Sequence, residues 1–216
     1  MISVKRKAVL FDFDGVIIDS GELHFKAWQI FCSRYGRVMT YEEFKKGFGQ
    51  TNRDILQDIL GRKLSEEEIN KFSEEKEEIF RSIAKGKIKL IYGAADFIRM
   101  VRRQGIATAL VSSTPCKNID FILKEINLAK CFDVIISSED VRNGKPDPEG
   151  YLKAANLLSI DPADCIVIED AIAGIQAALA AKMKCIAITT TQPAEKLIKA
   201  TYIVNSFAEI KLNWLK

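Results

Sequence analysis

The spacing of short apolar runs constrains this chain more than any other feature. Residues 8–11, 106–111, 134–136 and 165–168 are too short for buried helices and partly β-branched. Each leads into polar or glycine-containing sequence and then a helical pattern. That repetition is the signature of βα units, whose strands are covered on both faces and pair in parallel. A fifth run, 184–188, is expected to extend the sheet. Between the first two runs the chain reads as helix. One stripe carries Phe25, Trp28, Cys32 and Tyr35, a second pattern holds Ile55, Leu56, Ile59 and Leu60, and Ser65 with Glu68 forms a capping box. We therefore expect an inserted helical domain over 18–88 and an α/β core made of 1–17 plus 89–216, with hinges at 15–20 and 86–93.

Polar residues fall where the strands end. Asp12 and Asp14 follow the first run, Ser112 and Ser113 the second, Glu169 and Asp170 the fourth. In an open parallel sheet these carboxyl ends share one edge, where ligands bind at the reversal of strand order. Residues i and i+2 of a strand point the same way, so Asp12 and Asp14 are held together, away from Phe11 and Phe13. Two adjacent like charges call for a cation or a shared proton. Lys145, in "NGKPDPEGYLKAA", is placed by Pro146, which favours extended backbone before it, and by Asp147 and Pro148, expected as N-cap and first helical residue. The spacing argues against an EF-hand calcium loop, because Gly15 directly follows Asp14 and breaks its pattern.

Charge narrows the partner. Lys and Arg number 32 against 29 Asp and Glu, a formal +3, with the basic residues scattered. That argues for a small molecule over nucleic acid. Five separated cysteines without a C-x-x-C pair suggest neither a disulfide framework nor a zinc site, and a reducing cytoplasm is expected. No run reaches membrane-spanning length, and the first residues lead into a strand rather than a signal-peptide core.

"FDFDGVIIDS", "LVSSTP", "GKPDP" and "VIEDAIAGIQAA" together span nearly the whole chain. In that order they resemble the haloacid dehalogenase superfamily of phosphotransferases, in the subgroup with a helical cap after the first strand. "GELHFKAW" is similar to β-phosphoglucomutases and sugar-phosphate phosphatases. The resemblance implies a Rossmann-like parallel-sheet core with an inserted α-helical cap. It also implies a phosphatase acting on a small phosphorylated metabolite such as a sugar phosphate, with β-phosphoglucomutase as the alternative. A receiver-like phospho-aspartate signalling module is the third reading; its acceptor follows a later strand, in a shorter domain without a helical insertion.

The roles implied are chemical. Asp12 is the nucleophile that forms an aspartyl-phosphate. Asp14 gives a proton to the leaving oxygen and later takes one from water. A carboxylate and a phosphate repel by about 4 kcal/mol per pair of unit charges at 4 Å and an effective dielectric near 20. Mg2+ is therefore expected on Asp12 and Asp170, with the Asp14 backbone carbonyl as the third ligand that the resemblance implies, and Lys145 supplies a fixed positive charge. Ser112 and the Ser113 N–H are expected to bind phosphoryl oxygens beside a helix capped by Thr114 and Pro115. Glu169 is left open between metal ligand, partner of a ligand water, and loop anchor.

In the cap, His24 is either a packed histidine or one that nears Asp14 on closure. Lys76 takes the missing place in the stripe Ile69, Phe72, Ile79, Ile83, either snorkelling at the cap edge or reaching substrate. Arg53 is a candidate for the substrate's distal group. Two departures from the family pattern stand out. Ala171 replaces a serine or threonine after the acidic pair, and Phe48-Gly49 replaces the Lys-Gly of many mutases.

Overall fold

A computed structural model describes residues 7–47 and 50–215, so Phe48-Gly49 lies outside the described residues. In chain order the elements are β1 (Ala8–Phe11), β2 (Ile18–Asp19), α1 (Gly21–Arg34), α2 (Tyr41–Gly47), α3 (Asn52–Leu60), α4 (Glu66–Ala84), β3 (Lys89–Leu90), α5 (Ala94–Arg103) and β4 (Ala107–Val111). They continue with α6 (Cys116–Glu125), β5 (Val134–Ile136), α7 (Glu149–Leu158), β6 (Cys165–Glu169), α8 (Ile172–Ala180), β7 (Lys184–Ile188) and β8 (Tyr202–Val204). The chain divides into two compact units. Ser20–Lys89 forms one, and the residues up to Asp19 and from Leu90 onward form the other.

The larger unit is an α/β layer structure around a six-stranded parallel sheet of order β5-β4-β1-β6-β7-β8. β4 and β5 are added on one side of β1, β6 to β8 on the other, so strand order reverses beside β1. Alternation along β1 splits its side chains. Ala8 and Leu10 join the apolar cluster with Tyr151, Ala154 and Ala155 of α7 and Ile175 and Ala178 of α8. Phe11 faces the opposite layer, edge-on to Phe97 and Phe132. Phe11 is level with Leu110 and Ile168, and the Asp12 N–H donates to the Ile168 carbonyl at 3.0 Å. Register alone thus brings Asp12 beside the ends of β4 and β6. The strand β8 was not expected from sequence; it sits at the sheet edge, with Val204 buried, Tyr202 half-buried and Ile203 exposed.

The Ser20–Lys89 unit is helical. α1 buries Ala27, Trp28, Phe31 and Cys32, so its apolar stripe includes Phe31 and ends before Tyr35, which is exposed past the helix terminus. Phe25 is half-buried against Tyr41 and Phe44. The helix α2 was missed, although its start is signalled: Thr40 and Glu43 exchange bonds, the Thr40 N–H donating to Glu43 at 2.9 Å and the Glu43 N–H to Thr40 Oγ1 at 3.2 Å. α4 begins at the expected box, with the Glu68 N–H donating to Ser65 Oγ at 3.2 Å. The connections between the units carry the short strands β2 and β3.

Candidate active site

β1 ends at Phe11, and Asp12 and Asp14 occupy the turn that follows. Asp12 keeps the direction of Ala8 and Leu10 and receives a hydrogen bond from the Lys145 ammonium. Lys145 also donates to Glu169 Oε1 at 2.6 Å and to the Val111 carbonyl at 3.3 Å, and lies 5.2 Å from the Tyr151 ring centre. Its loop is braced from behind: the Arg142 and Asn143 N–H groups each donate to Glu149 at 3.0 Å, and Asp147 accepts from the Glu149 N–H at 2.9 Å. α7 starts at Glu149, so Pro148 is the N-cap rather than the first helical residue. The ring of Pro148 fixes the turn while Asp147 satisfies the first free amide.

Glu169 is held by four donors. Lys145 and the Tyr151 hydroxyl (2.7 Å) take Oε1, and the Asp170 and Ala171 N–H groups, at 3.0 and 3.3 Å, take Oε2. Gly174 makes room for it: a Cβ there would stand 1.7 Å from Oε1. Asp170, 1% exposed, accepts from the Thr191 hydroxyl.

The electrostatics of this cluster are unbalanced. Asp12, Glu169 and Asp170 are buried and offer ligand atoms all within 4.8 Å of one another, and one lysine stands among them. Burial pushes the Asp12 carboxyl up to about 7 against the pull of Lys145, with Glu169 and Asp14 adding to the rise. Asp170 is driven well above the ordinary carboxylate range by burial, then by Glu169 and Asp12. Burial works against the charge on Lys145, yet Asp12 and Glu169 overcome it and raise its pKa. A hard divalent cation fits this set, because oxygen donors are its preferred ligands and its charge relieves the surplus.

Asp14 stands apart from the three clustered carboxylates. Its Oδ2 accepts from the Thr114 hydroxyl at 2.6 Å. That corrects the expected cap on α6: Pro115 is the N-cap, and Thr114 turns to the proton-carrier candidate instead. Ser112, buried at the end of β4, accepts from the Thr114 N–H at 3.0 Å, and Ser113 is half-buried beside it.

Within the helical unit Lys76 is 2% exposed, so it does not snorkel. Its ammonium contacts Glu77 at 2.8 Å and His24 Nδ1 at 2.9 Å and lies 5.1 Å from the Trp28 ring centre. His24 stacks on Phe80 at 4.0 Å, and Asn52 donates to Glu77 at 2.7 Å. Arg53 lies outside this cluster, in an exposed bidentate pair with Glu66 at 2.6 Å.

Sequence reasoning missed Thr114, Tyr151, Thr191, Glu77 and Asn52. Thr114, Tyr151, Thr191 and Asn52 act across the fold, where no local spacing marks them, and Glu77 adjoins Lys76 on a helix whose pattern does not show that both are enclosed. Ala171 has no hydroxyl, and the one that reaches the Asp170 carboxylate comes from Thr191, 21 residues after Asp170.

The model of haloacid dehalogenase-like hydrolases matches residues 9–188, and the chain belongs to that family. It is 32% identical to a phosphorylated carbohydrates phosphatase of Thermotoga maritima over 97% of this chain and 98% of that one. It is 30% identical to the chloroplastic 5-amino-6-(5-phospho-D-ribitylamino)uracil phosphatase of Arabidopsis thaliana, over 96% of this chain but 56% of that longer protein. Thus the chain spans about half the length of that relative. Its fold superposes on the crystal structure of a β-phosphoglucomutase from Clostridium difficile with a TM-score of 0.87 and 29% identity, covering 97% of this chain and 95% of the other. No helix among the described residues is long and apolar enough to cross a membrane.

Proposed function

We propose that the chain is a magnesium-dependent phosphatase that releases phosphate from a small phosphorylated metabolite, a sugar phosphate fitting best, through an aspartyl-phosphate on Asp12. The observation that carries this is Lys145 between Asp12 and Glu169, with Asp170 in the same buried group. Asp12, Asp170 and the Asp14 backbone carbonyl would hold the ion, with Glu169 as the third carboxylate of the group. When bound, the ion neutralises charge shared by nucleophile and phosphate.

Lys145 keeps Asp12 aimed and partly neutralised, so the carboxylate approaches phosphorus without the repulsion two bare anions would feel. Ser112 and the Ser113 N–H bind the phosphoryl oxygens. Asp14, oriented by Thr114, protonates the leaving oxygen and then accepts a proton from the attacking water. On the helical unit His24 and Arg53 are the substrate-binding candidates, while Lys76 is enclosed by Glu77, His24 and Trp28. The kinship with phosphatases that act on phosphorylated carbohydrates supports this reading. The five free cysteines support a reducing, cytoplasmic setting.

The likeness to β-phosphoglucomutase favours one second reading, transfer to a sugar hydroxyl instead of water. Incubation with β-glucose 1-phosphate, a trace of the 1,6-bisphosphate and Mg2+ separates them. Free phosphate is the expected product, and glucose 6-phosphate without phosphate release would make the chain a mutase. A screen of phosphorylated metabolites with and without Mg2+ then identifies the substrate.

A further inference from the structure

We propose that three consecutive threonines after β7, Thr189, Thr190 and Thr191, form a strap that fixes the metal-binding edge, with Thr191 as the positioning residue for Asp170. This rests on the magnesium reading above and deepens it. Each hydroxyl has a different partner. Thr189 Oγ1 donates to Asn205 at 2.9 Å, and its N–H to the Val204 carbonyl at 3.0 Å, which ties the strap to the end of β8. The Thr190 hydroxyl donates to the Gly15 carbonyl, on the turn that carries Asp12 and Asp14. The Thr191 hydroxyl donates to Asp170 Oδ2 and lies 3.3 Å from the Asp170 carbonyl.

The three segments interlock at Gly15. Its φ is +84°, and a Cβ there would stand 2.2 Å from Asp170 Oδ2 and 2.8 Å from Thr191 Cγ2. Asp170 is followed by Ala171, the N-cap of α8, which has no hydroxyl to offer. Among the described residues Thr191 is the side chain that hydrogen-bonds the Asp170 carboxylate. A buried carboxylate with one oxygen engaged has a fixed rotamer, and its second oxygen is directed rather than free to turn. Partners that orient a ligand in this way commonly change metal affinity by about 10- to 100-fold.

Thr191 is itself largely exposed, so substitution there leaves the core packing in place. Titrating Mg2+ and Mn2+ calorimetrically into wild type, Thr191→Val and Thr191→Ser tests the strap. The valine variant is expected to weaken metal binding by about 10-fold or more, and the serine variant to stay within about twofold of wild type. Thr191→Ala provides the same loss of hydroxyl should valine disturb the turn. The Mg2+ concentration giving half-maximal turnover is expected to rise by the same factor while KM for substrate is unchanged. Wild-type affinity in both the valine and alanine variants would overturn the strap and leave the magnesium reading standing. Failure of the wild type to bind either ion would overturn both.

Discussion

Each unit of this protein buries a lysine in the same local surroundings, and the two differ in what is left over. In the helical unit Lys76 has Glu77 at 2.8 Å and an aromatic ring centre at 5.1 Å. In the α/β unit Lys145 has Glu169 at 2.6 Å and a ring centre at 5.2 Å. One carboxylate answers Lys76, and its pKa is lowered: burial would raise it, but the ammonium and its hydrogen bonds prevail. Three carboxylates crowd around Lys145, and two of them are raised, chiefly by burial. The first cluster is complete as it stands. The second gathers more carboxyl groups than its lysine can balance, so they resist ionising until a cation joins them, which is the mark of a functional cluster.

The sharpest break between the two comes from Asp12→Asn, expected to lower turnover of an aryl phosphate by at least about 10³-fold, the scale of losing a nucleophile. Circular dichroism and melting should show the fold intact. Unchanged turnover would exclude Asp12 as nucleophile.

Removing the lysines comes next. Lys76→Met and Lys145→Met each strand a buried carboxylate, and each is expected to reduce stability by about 3–5 kcal/mol in denaturant melts. Adding Glu77→Gln should restore most of the loss in the helical unit. Adding Glu169→Gln should not do so in the α/β unit, because Asp12 and Asp170 remain. Equal rescue at both sites would erase the distinction.

Metal and pH separate the clusters further. A carboxyl whose folded pKa exceeds its unfolded one stabilises the fold below the unfolded value, about pH 4, and loses that contribution as pH rises through the folded value. For Asp12 this window extends to about 7. Metal-free protein should therefore melt lower at pH 7.5 than at pH 5. Mg2+ at about a hundred times its Kd at pH 7.5 adds about 2.7 kcal/mol, roughly 5–10 °C for a chain of this size, and the same concentration should give a smaller gain at pH 5. A Mg2+ shift that is equal at both pH values would count against charge relief. The smallest effect is expected from Arg53→Ala: no measurable change in melting, since its bridge to Glu66 is exposed, and a raised KM alone.

Much of the architecture was legible because strand register is a local matter. The runs that became β1, β4, β5 and β6 each end where a polar residue begins, so Asp12, Ser112 and Glu169 could be assigned to one edge. The α4 start was readable from Ser65 and Glu68, and α2 would have been from Thr40 and Glu43 by the same rule. What escaped were partners chosen by packing across the chain. Tyr151 reaches Glu169 because α7 crosses the β1 face, and Thr114 leaves the cap of α6 because Asp14 accepts its hydroxyl. Lys76 looked like an edge residue because an isolated helix pattern does not reveal that Glu77, His24 and Trp28 will enclose its charge.

Mixing the Asp14→Asn variant with p-nitrophenyl phosphate and Mg2+ addresses the covalent step itself, since nitrophenolate leaves without a proton donor while hydrolysis of the phosphoenzyme is slowed. We expect a burst of nitrophenolate stoichiometric with enzyme, a phosphoryl group mapped by mass spectrometry to Asp12, and loss of both on chelation. Steady release without a burst, together with protein that carries no phosphoryl group or carries it elsewhere, would contradict attack by Asp12.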